Sequence, residues 1–152
     1  MVKDMFAEST TREFVERVYK LDSTSTPEWG KMNVSQMLRH CAIVLDITFG
    51  EKDLKRPFVS YLFGKMALKG ILKDVNKPLG KNSPTHKELI IENTGDFEQE
   101  RENLIQKINK FQVLNQFDLN NRVHPFFGKM NIKEWNITSY KHLDHHLTQF
   151  NV

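Results

Sequence analysis

The sequence predicts an all-α protein: a bundle of helices with one long irregular loop between the third and fourth. Three observations carry that reading. Five stretches place apolar residues three and four positions apart, the period of an amphipathic helix. No tract of alternating β-branched residues exceeds a few positions, and the best strand candidate, Glu88–Glu92, is short and isolated. Helix caps and turn residues stand at the stretch boundaries. At 152 residues the chain has the length of one domain, and residues 1–152 are expected to form one.

The first helix is expected over Thr10–Leu21, where Phe14, Val18 and Leu21 form one stripe and the run Asp22–Pro27 ends it. The second starts at Asn33, with Gln36 three residues on as in a capping box, and runs through Met37, Cys41, Val44 and Leu45 to a stop at Gly50. The third begins near Pro57, which is tolerated in a first turn, and continues to about Val75. Its Gly64 and Gly70 each cost about 1 kcal/mol in a helix interior relative to Ala and mark a candidate close crossing. Residues 76–95, with Pro78, Gly80 and Pro84, are the irregular loop: either a surface connection or a lid. The fourth helix is expected over Asp96–Gln116, with Phe97, Leu104, Ile108 and Phe111 inward. The last starts at Asn131, with Glu134 three residues on, and reaches the end of the chain. The segments Gly30–Gln36 and Gly128–Glu134 echo one another over seven residues, which reads as two similar caps rather than a duplication.

Composition removes several function classes. The 22 basic and 19 acidic residues give a net charge of +3, too balanced for a dedicated nucleic-acid binder. Cys41 is the only cysteine, so no internal disulfide forms. No apolar run approaches the ~20 residues of a membrane-spanning helix, and the N-terminus lacks the apolar core of a signal peptide. The expectation is a soluble protein of the reducing cytoplasm, partnered by neither nucleic acid nor membrane. No Gly-rich phosphate loop or dinucleotide fingerprint occurs, which argues against a nucleotide cofactor.

The six histidines carry the chemistry. His142 and His146 are four apart, so on a helix both reach one point beyond its surface. They lie on a shoulder of the last helix, flanked by Trp135 and Gln149 within ~20° and beside the face of Leu143, Leu147 and Phe150. His145 points further toward solvent. His40 shares a face of the second helix with Met37 and Val44, and so points inward. Three imidazoles from two helices make a facial nitrogen site, and a Zn²⁺ with three protein ligands keeps an open position for water or substrate. The plainer alternatives are a core His40 bonded to a carbonyl and a helix C-terminus that favours protonated histidine. The His142–His146 segment is not the H-E-x-x-H zinc-protease pattern, because no Glu stands at the required place.

Three motifs carry a family resemblance. They are Trp29-Gly30-x-Met32-x-x-x-Gln36-Met37-Leu38-x-His40-Cys41; Pro78 with Lys81-Asn82-Ser83-Pro84-Thr85; and His124-Pro125-Phe126-Phe127-Gly128 followed by Trp135 and Tyr140-Lys141-His142-Leu143-Asp144-His145-His146-Leu147-x-Gln149-Phe150. Together they resemble an uncharacterised bacterial subfamily of the DinB/YfiT-like superfamily of metalloenzymes. The resemblance implies a DinB/YfiT-like four-helix bundle, commonly a homodimer, with His40, His142 and His146 as ligands of a divalent metal and Gln149 in the same last-helix pattern. Better-known relatives are thiol-dependent transferases and isomerases using a low-molecular-weight thiol, although no thiol-binding motif maps onto this chain.

The reading is a divalent-metal-dependent enzyme, with zinc or nickel the leading ions, acting on a small-molecule substrate as a transferase or hydrolase. His124 and His145 are the acid/base candidates. Gln36 and Gln149 are placed to orient a metal-bound water or a substrate. Asn82 and Ser83 border the site if the central loop folds over it, and are ordinary turn residues otherwise. Cys41 lies ~100° round its helix from His40, toward the core, and is read as inert packing. Two alternatives stand beside the enzyme: a non-catalytic metal- or small-ligand-binding dimer, and a structural dimer with a vestigial site.

Overall fold

Two asparagines start the helices that carry the histidines. Asn33 and Asn131 each accept a hydrogen bond from the backbone N–H three residues on, and Gln36 and Glu134 reach back to the asparagine N–H groups, completing both capping boxes. The glycines that precede them, Gly30 and Gly128, both adopt positive φ. The seven-residue echo is therefore a repeated helix start.

A computed structural model describes residues 1–152. Its helices are α1 (Glu8–Tyr19), α2 (Val34–Phe49), α3 (Phe58–Lys73), α4 (Phe97–Lys110) and α5 (Ile132–Gln149). Two single-stretch 3-10 segments (87–89 and 116–121) and a two-residue antiparallel ladder, β1 (Val123–His124) with β2 (Gly128–Lys129), complete it. The protein is mostly helical, as the sequence predicts. No helix is long and apolar enough to cross a membrane.

The larger core joins four of the helices. Phe14 and Val18 of α1, Met37, Leu38, Cys41 and Leu45 of α2, Leu104, Ile105 and Ile108 of α4, and Leu143 and Leu147 of α5 form one buried cluster. Each fully buried side chain of this size contributes about 1.5–3 kcal/mol. Arg17 ties the end of α5 to α1 by donating to Asp144 (2.8 Å), Thr148 (3.2 Å) and the Val152 carbonyl (2.8 Å). α3 stands apart. Its Leu68 joins a second small cluster with Leu119, Met130 and Trp135.

Several boundaries differ from expectation, each for a local reason. α1 starts two residues before Thr10 and ends at Tyr19, but Leu21 N–H still bonds the Val18 carbonyl, which keeps Leu21 in the core. α4 stops at Lys110 instead of Gln116, because successive i→i+3 bonds at Phe111–Val113 tighten the chain and Asn115 caps the next 3-10 stretch. Glu88–Glu92 is not a strand: Lys87–Leu89 form one 3-10 turn, and the carbonyls of Leu89 and Glu92 accept from side chains of α2. The one ladder lies elsewhere, at the hairpin around Pro125–Phe127. Gly64 does mark a close crossing, with the carbonyl of Phe126 where a Cβ would stand, while Gly70 faces open space.

Candidate metal centre

His40, in the middle of α2, and His142 and His146, one turn apart on α5, point across the α2–α5 contact at one another. Their ring centroids lie 4.7–5.1 Å apart. One nitrogen from each falls within a 4.8 Å group. The Nε2 atoms of His40 and His142 stand 3.1 Å apart. Two nitrogens bound to one tetrahedral zinc at the usual Zn–N length are about 3.3 Å apart, so this spacing fits a shared ion.

The hydrogen bonds behind the rings set which nitrogen is free. His40 Nδ1 donates to the Leu89 carbonyl (3.0 Å), leaving Nε2 with its lone pair. His146 Nδ1 meets Gln149 Oε1 at 2.9 Å, and Gln149 Nε2 donates to the Trp29 carbonyl (2.5 Å). That second bond fixes the amide, so its oxygen must accept and His146 Nδ1 must carry the hydrogen. Both rings thereby turn an Nε2 lone pair toward the centre, the arrangement that hydrogen-bond acceptors behind metal-bound imidazoles impose. His142 differs: its Nδ1 is buried with no protein partner.

Burial dominates the electrostatics. Desolvation lowers the pKa of His40, of His142 well below its ordinary value, and of His146 to about 3; the neighbouring imidazoles push the last two the same way. All three are neutral at pH 7, the form that binds metal. The donor set is purely imidazole, which suits zinc, nickel, copper and iron.

The other predicted residues distribute around this centre. Gln149, 3% exposed, lies directly behind His146. His145 is half-buried beside it, 5.5 Å from the Trp29 ring, its pKa lowered by desolvation. His124 lines a cavity on the far side of His142. Its Nδ1 accepts from the N–H groups of Phe126 (3.0 Å) and Phe127 (3.1 Å), and burial lowers its pKa to about 4. Gln36 is used elsewhere: its amide oxygen caps α2 and its nitrogen donates to the Glu92 carbonyl (3.2 Å). Asn82, at φ 54°, lies near the Gly30 turn that abuts Gln149. Ser83 donates to the Gly80 carbonyl within its own turn (2.8 Å). Cys41 is buried, which raises its thiol pKa far above the usual range.

The central loop supports the centre rather than merely connecting helices. Leu89 holds His40, and Lys81 Nζ stands 4.1 Å from the Trp29 ring, over the turn that anchors Gln149. Gly30 is required there: at φ 86°, its Cβ position lies 2.6 Å from Gln149 Nε2. Sequence reasoning missed Leu89, Trp29 and Lys141. The first two act through backbone carbonyls, which leave no residue-type signal. Lys141, 6% exposed, donates to the carbonyls of Ile71 (3.4 Å) and Asp74 (3.2 Å) at the end of α3. Its adjacency to His142 was the available clue.

No curated protein and no solved structure matches the chain significantly. A family model does: residues 6–152 match the protein of unknown function DUF1569, and the chain belongs to that family.

Proposed function

We propose that this protein is a divalent-metal-dependent enzyme acting on a small molecule, with His40, His142 and His146 as the ligands. The observation that carries the reading is the convergence of three neutral imidazoles, of which His40 and His146 are buried and locked with Nε2 inward by Leu89 and Gln149, and His142 is partly buried. Zinc or nickel suits this donor set, and the bound ion supplies Lewis acidity that lowers the pKa of a thiol or water. The resemblance to DinB/YfiT-like proteins supports a four-helix-bundle ancestry and a transferase or hydrolase using a low-molecular-weight thiol or water as nucleophile.

The chain's own residues divide the remaining work. Gln149 keeps the hydrogen of His146 on Nδ1. His124, with Nδ1 occupied by two backbone donors, presents Nε2–H to the cavity beside His142 and serves as a hydrogen-bond donor to substrate. His145, half-buried at the rim, is the group available to exchange protons with solvent. The central loop holds water away from His40.

A second reading, metal binding without turnover, is favoured by one observation: the cluster contains no carboxylate to act as general base. A homodimer accompanies either reading, supported by the exposed apolar face of α3 (Phe58, Tyr61, Leu62 and Met66).

The test is purification without a histidine tag, elemental analysis, and assay of zinc- and nickel-loaded protein with thiols and small electrophiles. The expected result is stoichiometric metal and metal-dependent turnover that His142→Ala abolishes. Stoichiometric metal without turnover across the screen supports the second reading. Absence of metal from protein refolded or purified with zinc or nickel contradicts both.

A further inference from the structure

Beside His142, residues of α2 and α5 line a cavity of about 80 Å³, with Ile71 of α3 and Leu79 of the central loop also in its wall. One water needs only about 10–15 Å³ on this measure, so the space accommodates a small organic molecule. Most of the wall is apolar. Apart from the hydroxyls of Thr48, Thr138 and Ser139, which can also accept, its polar side chains are nitrogen groups. Trp135 Nε1–H is buried without a partner, and so is His142 Nδ1. His124 Nε2 carries the ring hydrogen, because Nδ1 accepts two backbone bonds, and it too has no protein partner. The Lys141 ammonium is answered by two carbonyls, with no carboxylate within 4 Å. No Asp or Glu lines the cavity. The hydroxyls of Thr48 and Thr138 donate to their own helix carbonyls. Buried donors without acceptors are costly, and a wall that offers donors and a cation with no acidic group complements an anionic oxygen.

We propose that this cavity binds the carboxylate of a small apolar monocarboxylic acid, received by Trp135 Nε1–H, His124 Nε2–H and His142 Nδ1–H. The His142 contact rests on the metal reading above: with Nε2 given to a metal, the ring hydrogen is on Nδ1. The carboxylate then takes the place behind His142 that Leu89 and Gln149 take behind the other two rings. Accepting that hydrogen makes the imidazole a stronger ligand, so ligand and metal bind with positive coupling.

The experiment titrates full-length protein, zinc-loaded and metal-free, with propionate, propionamide and propylammonium. The readout is the indole N–H resonance of Trp135, identified by its persistence in Trp29→Phe. Propionate is expected to shift it saturably, to bind at least fivefold more tightly than propionamide, and to tighten zinc binding severalfold; propylammonium leaves it unmoved. His124→Phe weakens propionate at least fivefold by this resonance, and Trp135→Phe, which lacks the resonance, weakens it at least fivefold by calorimetry. Ile71→Phe, which fills the cavity while keeping every donor, abolishes the shift in protein whose spectrum remains dispersed. Equal binding of propionamide or propylammonium overturns the proposal, as does propionate that binds zinc without moving the indole. Stoichiometric zinc with no propionate shift removes the cavity alone. A propionate shift in protein that takes up no zinc removes the metal reading alone.

Discussion

Helices α2 and α3 are both sixteen residues long and both rich in apolar side chains, yet α2 buries eleven residues and α3 only Ser60, Gly64 and Leu68. The two also end differently. α2 has a full capping box at Asn33 and a left-handed Gly50 at its C-terminus, whereas the start of α3 at Pro57 has no side-chain cap. The bulky residues of α3, including Phe58 (78% exposed) and Leu62 (62%), face outward, and its Gly64 faces the hairpin. The histidine centre is built on the anchored helix. A site that depends on imidazole placement to a few tenths of an ångström needs a scaffold fixed by packing and caps, while α3 serves as a cover whose outer face remains available to a partner.

The sharpest way to break this contrast is in the core. Leu38→Ala on α2, at a fully buried position, is expected to cost about 2–5 kcal/mol in denaturant unfolding. A cost below about 1 kcal/mol removes α2 as the anchored element. The next effect is that of pH on metal-free protein. Folding holds His146 at about 3 and His124 at about 4, below the ordinary 6.5. The unfolded chain therefore binds more protons between these values, and stability rises with pH through that window. It is fully present above pH 6.5 and is lost as pH falls toward 4 for His124 and toward 3 for His146, with about 2 kcal/mol per imidazole lost by pH 5. Urea unfolding at pH 7 and pH 5 measures it; equal midpoints contradict the buried, neutral placement.

Behind the ligands, Gln149→Ala is expected to weaken metal binding about 10–100-fold without unfolding the protein, because His146 loses the acceptor that fixes its tautomer. Competition with a chelator checks this, and an unchanged affinity contradicts the role of Gln149. The smallest effect belongs to α3. Leu62→Glu is expected to change monomer stability by no more than about 0.5 kcal/mol while lowering any self-association seen by light scattering. A large loss of monomer stability erases the difference between the two helices.

Much of this was legible in the residues. The Asn33/Gln36 and Asn131/Glu134 boxes and Gly50 mark helix ends by local chemistry, and the His142–His146 spacing with an inward His40 brings three imidazoles together. What escaped depends on acceptors or partners distant in sequence. The Leu89 carbonyl behind His40 has no residue signature. Gln36 satisfied two readings, and the local cap and the Glu92 carbonyl take it. The strands Val123–His124 and Gly128–Lys129 are too short to show an alternating period. α3 is apolar nearly all round, so its pattern does not say which face turns inward; Gly64 against the Phe126 carbonyl decides that only in three dimensions.

The central claim is tested most directly by anomalous scattering from crystals of untagged protein grown with zinc or nickel. The account predicts one strong peak within bonding reach of Nε2 of His40, His142 and His146. No peak there, or an ion held by one of these imidazoles alone, contradicts it.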